Sequence, residues 1–343
     1  MVEPSIATDC FSNLTQIRAC SSCSYGPVCQ FTTANYGITS LQTIFCSIEH
    51  IPITIVIGIF LLASTLNLLA IGTMRRPKPL ERSSGIYRLW ISIIGQIGLT
   101  VLVSHILLDK FNYQTINCYI LEYLRKAIHA LYDSLTACVV LDRTMIIYQG
   151  LAFNKLASCR IAKLAIPILT IYHLMSIIYE PFHRYTTNYP VGRNWCILEL
   201  SNHLYSFHNR ISNLVHFILP YGINCIVPFF WIFMLTKHKS TLHTNHSTWM
   251  NLKKVLFTYR HNLITTYTLV LLNTPRLIST FSFTCIEQPW QNTVYIIAYF
   301  ISFIPLLTNL FIFVLLSPTY RPEFFEFIQH MIRYGHRIQY NIA

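Results

Sequence analysis

The sequence predicts an all-α integral membrane protein, a seven-helix bundle with a short amphipathic eighth helix. Three observations predict it. The chain is 53% hydrophobic and only 11% charged, where an ordinary soluble domain carries about 25% charged residues. Seven apolar segments each reach the roughly 20 residues that a helix needs to cross a bilayer. The cations gather between those segments, mainly on one side, as the positive-inside bias requires.

The first 48 residues read as an extracellular tail. MVEPSIATDC has no apolar core of a cleavable signal, so the first span is expected to direct insertion. Cys10, Cys20, Cys23, Cys29 and Cys46 lie in the tail beside the glycosylation sequon at Asn13. In an oxidising compartment disulfides are the default for such cysteines, and Cys285 could pair with the odd one. The tail is too short for a normal core, so its order is expected to depend on its disulfides.

Residues 49–318 hold the spans, placed near 51–74, 86–108, 118–148, 161–179, 211–236, 262–283 and 294–316. Basic clusters follow the odd-numbered spans: Arg75, Arg76, Lys78 and Arg82; Lys155, Arg160 and Lys163; Lys237, Lys239, Lys253, Lys254 and Arg260; and Arg321, Arg333 and Arg337. The opposite side has Arg18, Lys110, Arg184 and Arg193. This asymmetry puts the N-terminus outside and the C-terminus in the cytoplasm of a multi-pass plasma-membrane protein. A second sequon, at Asn245, then falls inside and stays bare. The net charge of +12 is loop charge, with no basic face interleaved with aromatics, so nucleic acid is not an expected partner.

Prolines at 167, 220, 228, 275 and 305 interrupt the spans; each removes a backbone hydrogen bond and allows a kink. After Pro318, residues 319–343 place Tyr320, Phe324, Phe327 and Ile328 on one helical face with Arg321 and Arg333 off it, the pattern of a helix on the inner membrane surface.

Span three runs from Cys118 to Asp142-Arg143-Thr144, about 25 residues and one tilted crossing. An arginine at that depth must be paired or hydrated, and Asp142 beside it can hold it. The bland reading is that the pair marks the helix end. Other features accompany it: Asn67 in span one, Phe217-Ile-Leu-Pro220 in span five, Pro275 in span six, and Ser317-Pro318-Thr319-Tyr320-Arg321-Pro322-Glu323-Phe324 after span seven. In order and spacing, over residues 50 to 330, these resemble the rhodopsin-like G-protein-coupled receptors. The resemblance implies a bridge from Cys118 to Cys196, a heterotrimeric G protein as cytoplasmic partner, and Asp142, Arg143, Pro220, Pro275, Tyr320 and Arg321 as coupling residues. Departures place the chain in a divergent, invertebrate-type branch. Gly95 stands where the family has its sodium-binding acid, Leu269 and Asn273 replace the span-six aromatics, Pro228 stands for a span-five tyrosine, and Leu310 to Val314 replace the span-seven motif with Asn309 one position out of register.

Charges inside spans are functional-site candidates. Arg125, two turns into span three, shares a face with His129 and Asp133; Arg276 follows the span-six kink and Glu180 closes span four. Two readings stay open. In one, Arg125 and Arg276 bind a carboxylate, such as a peptide C-terminus or an organic acid, with Tyr132, Phe217 and Tyr295 lining the cavity. In the other, Arg276 pairs with Glu180 or Glu122 and Arg125 with Asp133. Lys126 is expected to snorkel outward. The histidines lack a carboxylate at metal-ligand spacing on a shared membrane face, so neither an enzyme nor a bound metal or cofactor is expected. The rival to a receptor is a transporter or channel without G-protein coupling, which would more often show inverted halves.

Overall fold

In the computed structural model, the described residues are 53–111, 113–187, 195–199, 203–242, 248–282 and 303–342, with short pieces at 24–25, 31–32, 36–38, 294, 297–298 and 301. Eight long helical elements account for most of them. They are α1 (Ile53–Met74), α2 (Ser83–Lys110), α3 (Glu122–Gln149), α4 (Lys155–Ser176), α5 (His203–Asn213, continued as Leu219–Leu242), α6 (Thr248–Ser282), α7 (described from residue 303 to 315) and α8 (Arg321–Ile342). Four stretches, Thr54–Met74, Ser83–Leu108, Lys155–His183 and His203–Lys237, are long and apolar enough to cross a membrane. α3 and α6 are long as well, but α3 carries Glu122, Arg125, Lys126, Asp133, Asp142 and Arg143 along its length.

The surface agrees with a lipid solvent. On α4, Ile161, Leu164, Ile168 and Ile171 point outward at helical spacing, each more than half exposed. Phe229, Phe230 and Phe233 do the same on α5. A soluble protein rarely leaves so continuous an apolar stripe bare.

α3 is the centre of the bundle, packed against α2, α4 and α5. The main core joins Ile91 of α2, Leu135 of α3, Ile166 of α4, Leu269 of α6 and Phe313 of α7. Among the described residues three helices carry π turns, at Asn117–Leu121 leading into α3, in α5 and in α7. In α5 the turn Leu214–Ile218 ends with Leu219 N–H donating to Leu214 O, immediately before the buried Pro220, which has no N–H to donate. In α7 the turn is Leu310–Leu315. α3 ends at Gly150, whose φ of +51° and ψ of −117° suit glycine. Asn154 then caps α4 by accepting from Ala157 N–H at 3.0 Å.

The described residues are predominantly helical, as the all-α reading expects, with a small sheet added and an eighth helix longer than expected. A three-stranded sheet forms from β3 (Tyr36–Ile38), β4 (Arg184–Thr187) and β5 (Trp195–Glu199), with β5 in the middle; β1 (Ser24–Tyr25) and β2 (Phe31–Thr32) make a separate pair. Backbone pairing of Tyr36 with Glu199 thus ties part of the tail to the loop between α4 and α5. And α8 has 22 residues, too long to be called short. It is held down by Tyr320, fully buried with Ala70, Met74, Leu310 and Val314, and by Glu323, which meets Arg76 and Lys78. The Glu323 carboxylate raises the pKa of the Lys78 ammonium above its usual value.

Candidate functional site

Polar groups collect at both ends of α3. At its N-terminal end the disulfide Cys118–Cys196 joins the π turn Asn117–Leu121 to β5. One turn further in, the buried Glu122 carboxylate accepts from Arg125 Nη2 at 2.5 Å and Arg125 Nε at 3.2 Å, and lies 3.0 Å from His105 Nε2 of α2. Glu180, fully buried after α4, accepts from Lys126 Nζ and, at 2.7 Å, from Arg184 Nη2. Asn209 of α5 closes this second cluster, its Oδ1 accepting from Tyr179 at 3.0 Å and Lys126 at 3.4 Å.

These contacts answer several expectations. Lys126 does not snorkel outward: its side chain is 18% exposed and turned onto Glu180. Arg125 is engaged by Glu122, three residues before it. Glu180 is engaged by Lys126 and Arg184. Among these groups, Glu122 thus carries Arg125, and Glu180 carries Lys126 and Arg184. His129 donates its Nδ1 hydrogen to Arg125 O at 3.1 Å and sets its ring edge-on to Phe303. Arg276 lies on α6, but its side chain lies outside the described residues, as do Tyr295, Cys285 and Asn13.

Below the ion pairs, a small cavity of about 20 Å³ is lined by Asp133, Phe217, Tyr221, Asn224 and Asn273, among others. That is room for about one water. Asp133 Oδ1 accepts from Asn273 Nδ2 at 3.2 Å, and the buried Asn224 Oδ1 has no hydrogen-bond partner. Phe217 lines this cavity, which Arg125 does not reach. Tyr132 does not line it; it is buried in the core, donating to Asn309 Oδ1 at 2.8 Å. Asn309 Nδ2 in turn donates to Asn67 Oδ1 at 3.0 Å, and Asn67 Nδ2 to Leu306 O at 3.1 Å. This clamp joins α1, α3 and α7.

At the C-terminal end of α3, Asp142 is turned to Ser83 and Ser158 and not to its neighbour Arg143. Its Oδ1 accepts from Ser83 at 2.6 Å and from Ser158 at 2.7 Å, pinning α3 to α2 and α4. Arg143 instead lines a second cavity, of about 30 Å³, together with Arg88 of α2, Pro228 and Trp231 of α5, Leu269 of α6 and Phe313 of α7. Arg88 is buried, donates from Nη1 to Phe313 O at 2.8 Å and lies over the Tyr320 ring at 4.9 Å. Tyr320 shares a hydrogen bond with Ser84 at 3.0 Å. Arg321 is exposed beside Phe325. Pro275 sits inside an uninterrupted α6, two residues from Asn273.

Sequence reasoning missed Arg88 and His105, and read Arg184 only as an outer-side cation, not as a partner of Glu180. Arg88 had a usable signal, a cation three residues into an apolar run, but lay close enough to the inner basic cluster to read as loop charge. No family model matches this chain, and no curated protein matches it.

Proposed function

We propose that the chain is a seven-helix membrane receptor, outside-in from its N-terminus, that binds a ligand from the extracellular side and activates a heterotrimeric G protein. The observation that carries this reading is α3 itself: one buried helix with a locked ion-pair network at its outer end and an arginine facing a cavity between α3, α5 and α6 at its inner end. A helix so placed can connect the two faces.

Because the outer cations already sit on carboxylates, the ligand is one that brings hydrogen-bond donors to Asp133 and Asn224. An anion would have to displace Glu122 or Glu180, or rest on Arg276. The cavity admits about one water, so ligand entry requires α5 and α6 to move outward, with α6 turning about Pro275. Binding favours that open state only by its differential affinity for it.

The test is basal nucleotide exchange on a panel of G proteins in membranes bearing the wild type or Arg143→Ala at matched surface levels. Exchange present in the wild type and lost in the variant is the expected result. Exchange unchanged by the variant overturns the role of Arg143. For the ligand, an agonist found by screening should lose about tenfold or more in potency on Asp133→Ala, as expected for a lost hydrogen bond to a charged group. Unchanged potency removes that assignment.

A further inference from the structure

The geometry points to a binding site for a small inorganic anion, chloride in size and charge, between Arg88 and Arg143 at the inner end of the bundle. Both guanidinium groups line one cavity, walled by Val139, Trp231, Leu269 and Phe313. Arg88 is 3% exposed. Its Nη1 is used by Phe313 O, but its Nε is buried with no hydrogen-bond partner, and the same holds for the Nε of Arg143. Two cations, each with an unused Nε–H donor, thus line one partly open space.

The charge count is uneven. Asp142 is the nearest carboxylate in sequence, and its Oδ1 is occupied by Ser83 and Ser158. Two guanidiniums against one carboxylate leave a formal charge of +1, with Arg88 buried and Arg143 half-buried. An uncompensated buried cation is strongly unfavourable, and guanidinium cannot shed its proton to escape the cost. One monovalent anion removes the imbalance and accepts from both Nε groups. The cavity, about 30 Å³, suits it: by the measure that gives a water about 10–15 Å³, it takes one halide and excludes a sugar acid. An anion here would tie α2 to α3 beside α5 and α6, favouring the closed arrangement.

The experiment uses the full-length protein in an uncharged detergent and needs no G protein, so its outcome is separate from that of the receptor reading. Thermal unfolding is followed in chloride and in gluconate at equal ionic strength. The expected result is a saturable rise in the midpoint with chloride, about 2 °C or more once chloride is tenfold above its dissociation constant. Arg88→Gln and Arg143→Gln should each abolish the rise. If Arg88→Gln fails to fold, Arg143→Gln, at the less buried side of the cavity, carries the comparison. Equal midpoints in the two salts, or a chloride effect that survives in Arg143→Gln, overturns the site.

Discussion

At the residue scale, Gly95 shows why an absent side chain can be as informative as a present one. The acid expected there by the resemblance is missing because the space is taken: a Cβ on Gly95 would lie 2.4 Å from Asn309 Nδ2. That amide belongs to the buried clamp with Asn67 and Tyr132, so it cannot simply swing away. Gly95→Asp is therefore expected to destabilise the protein by about 2–3 kcal/mol, through overpacking and a broken buried hydrogen bond. Combining it with Asn309→Ala should cost less than the sum of the two single changes. Melting temperatures of the four-membered cycle measure this, and strict additivity would refute the contact. The sequence displayed Gly95, Asn67 and Asn309 individually. It could not display that they converge, because the asparagine one step out of register faces inward only through the geometry of a helix that widens at residue 310.

At the element scale, the outer and inner ion pairs invite opposite expectations, and burial decides between them. Glu180 is fully buried with two cations on it, so Glu180→Gln leaves Lys126 and Arg184 short of charge in a dry site. The expected loss is about 3–5 kcal/mol, read as a fall in unfolding midpoint. Glu326 of α8, by contrast, meets Arg76 at 2.7 Å with its side chain 48% exposed. Glu326→Gln should cost less than about 1 kcal/mol in the same assay. Equal losses would contradict the burial of the outer cluster. The apolar periodicity made the helices legible, and the resemblance implied the Cys118–Cys196 bridge that the structure contains. Partner choice was not, since Arg125 and Lys126 are neighbours whose side chains leave α3 in different directions, one to Glu122 and one to Glu180. Nor was Gly85, whose Cβ would fall 2.0 Å from Pro79 O, a contact made by a one-turn helix (Pro77–Leu80) that no periodicity announces.

At the scale of the whole molecule, hydropathy and burial pull apart for the central helix. α1, α2, α4 and α5 meet lipid on one side and are apolar enough to be read as spans on composition alone. α3 is shielded by its neighbours, so it can carry six charges and still lie in the same layer. We propose on this ground that α3 crosses with these four, that α6 and α7 complete seven crossings, and that the two ends lie on opposite sides of the membrane. It is testable by glycosylation. Asn13 should carry a glycan that endoglycosidase removes, with a mobility shift lost in Asn13→Gln, while Asn245, between α5 and α6, should stay bare. A sequon introduced after α8 should also stay bare. If the C-terminal sequon is modified as well as Asn13, the number of crossings is even, α3 or another charged helix lies outside the bilayer, and the inner cavity cannot be the cytoplasmic end of a transmembrane path.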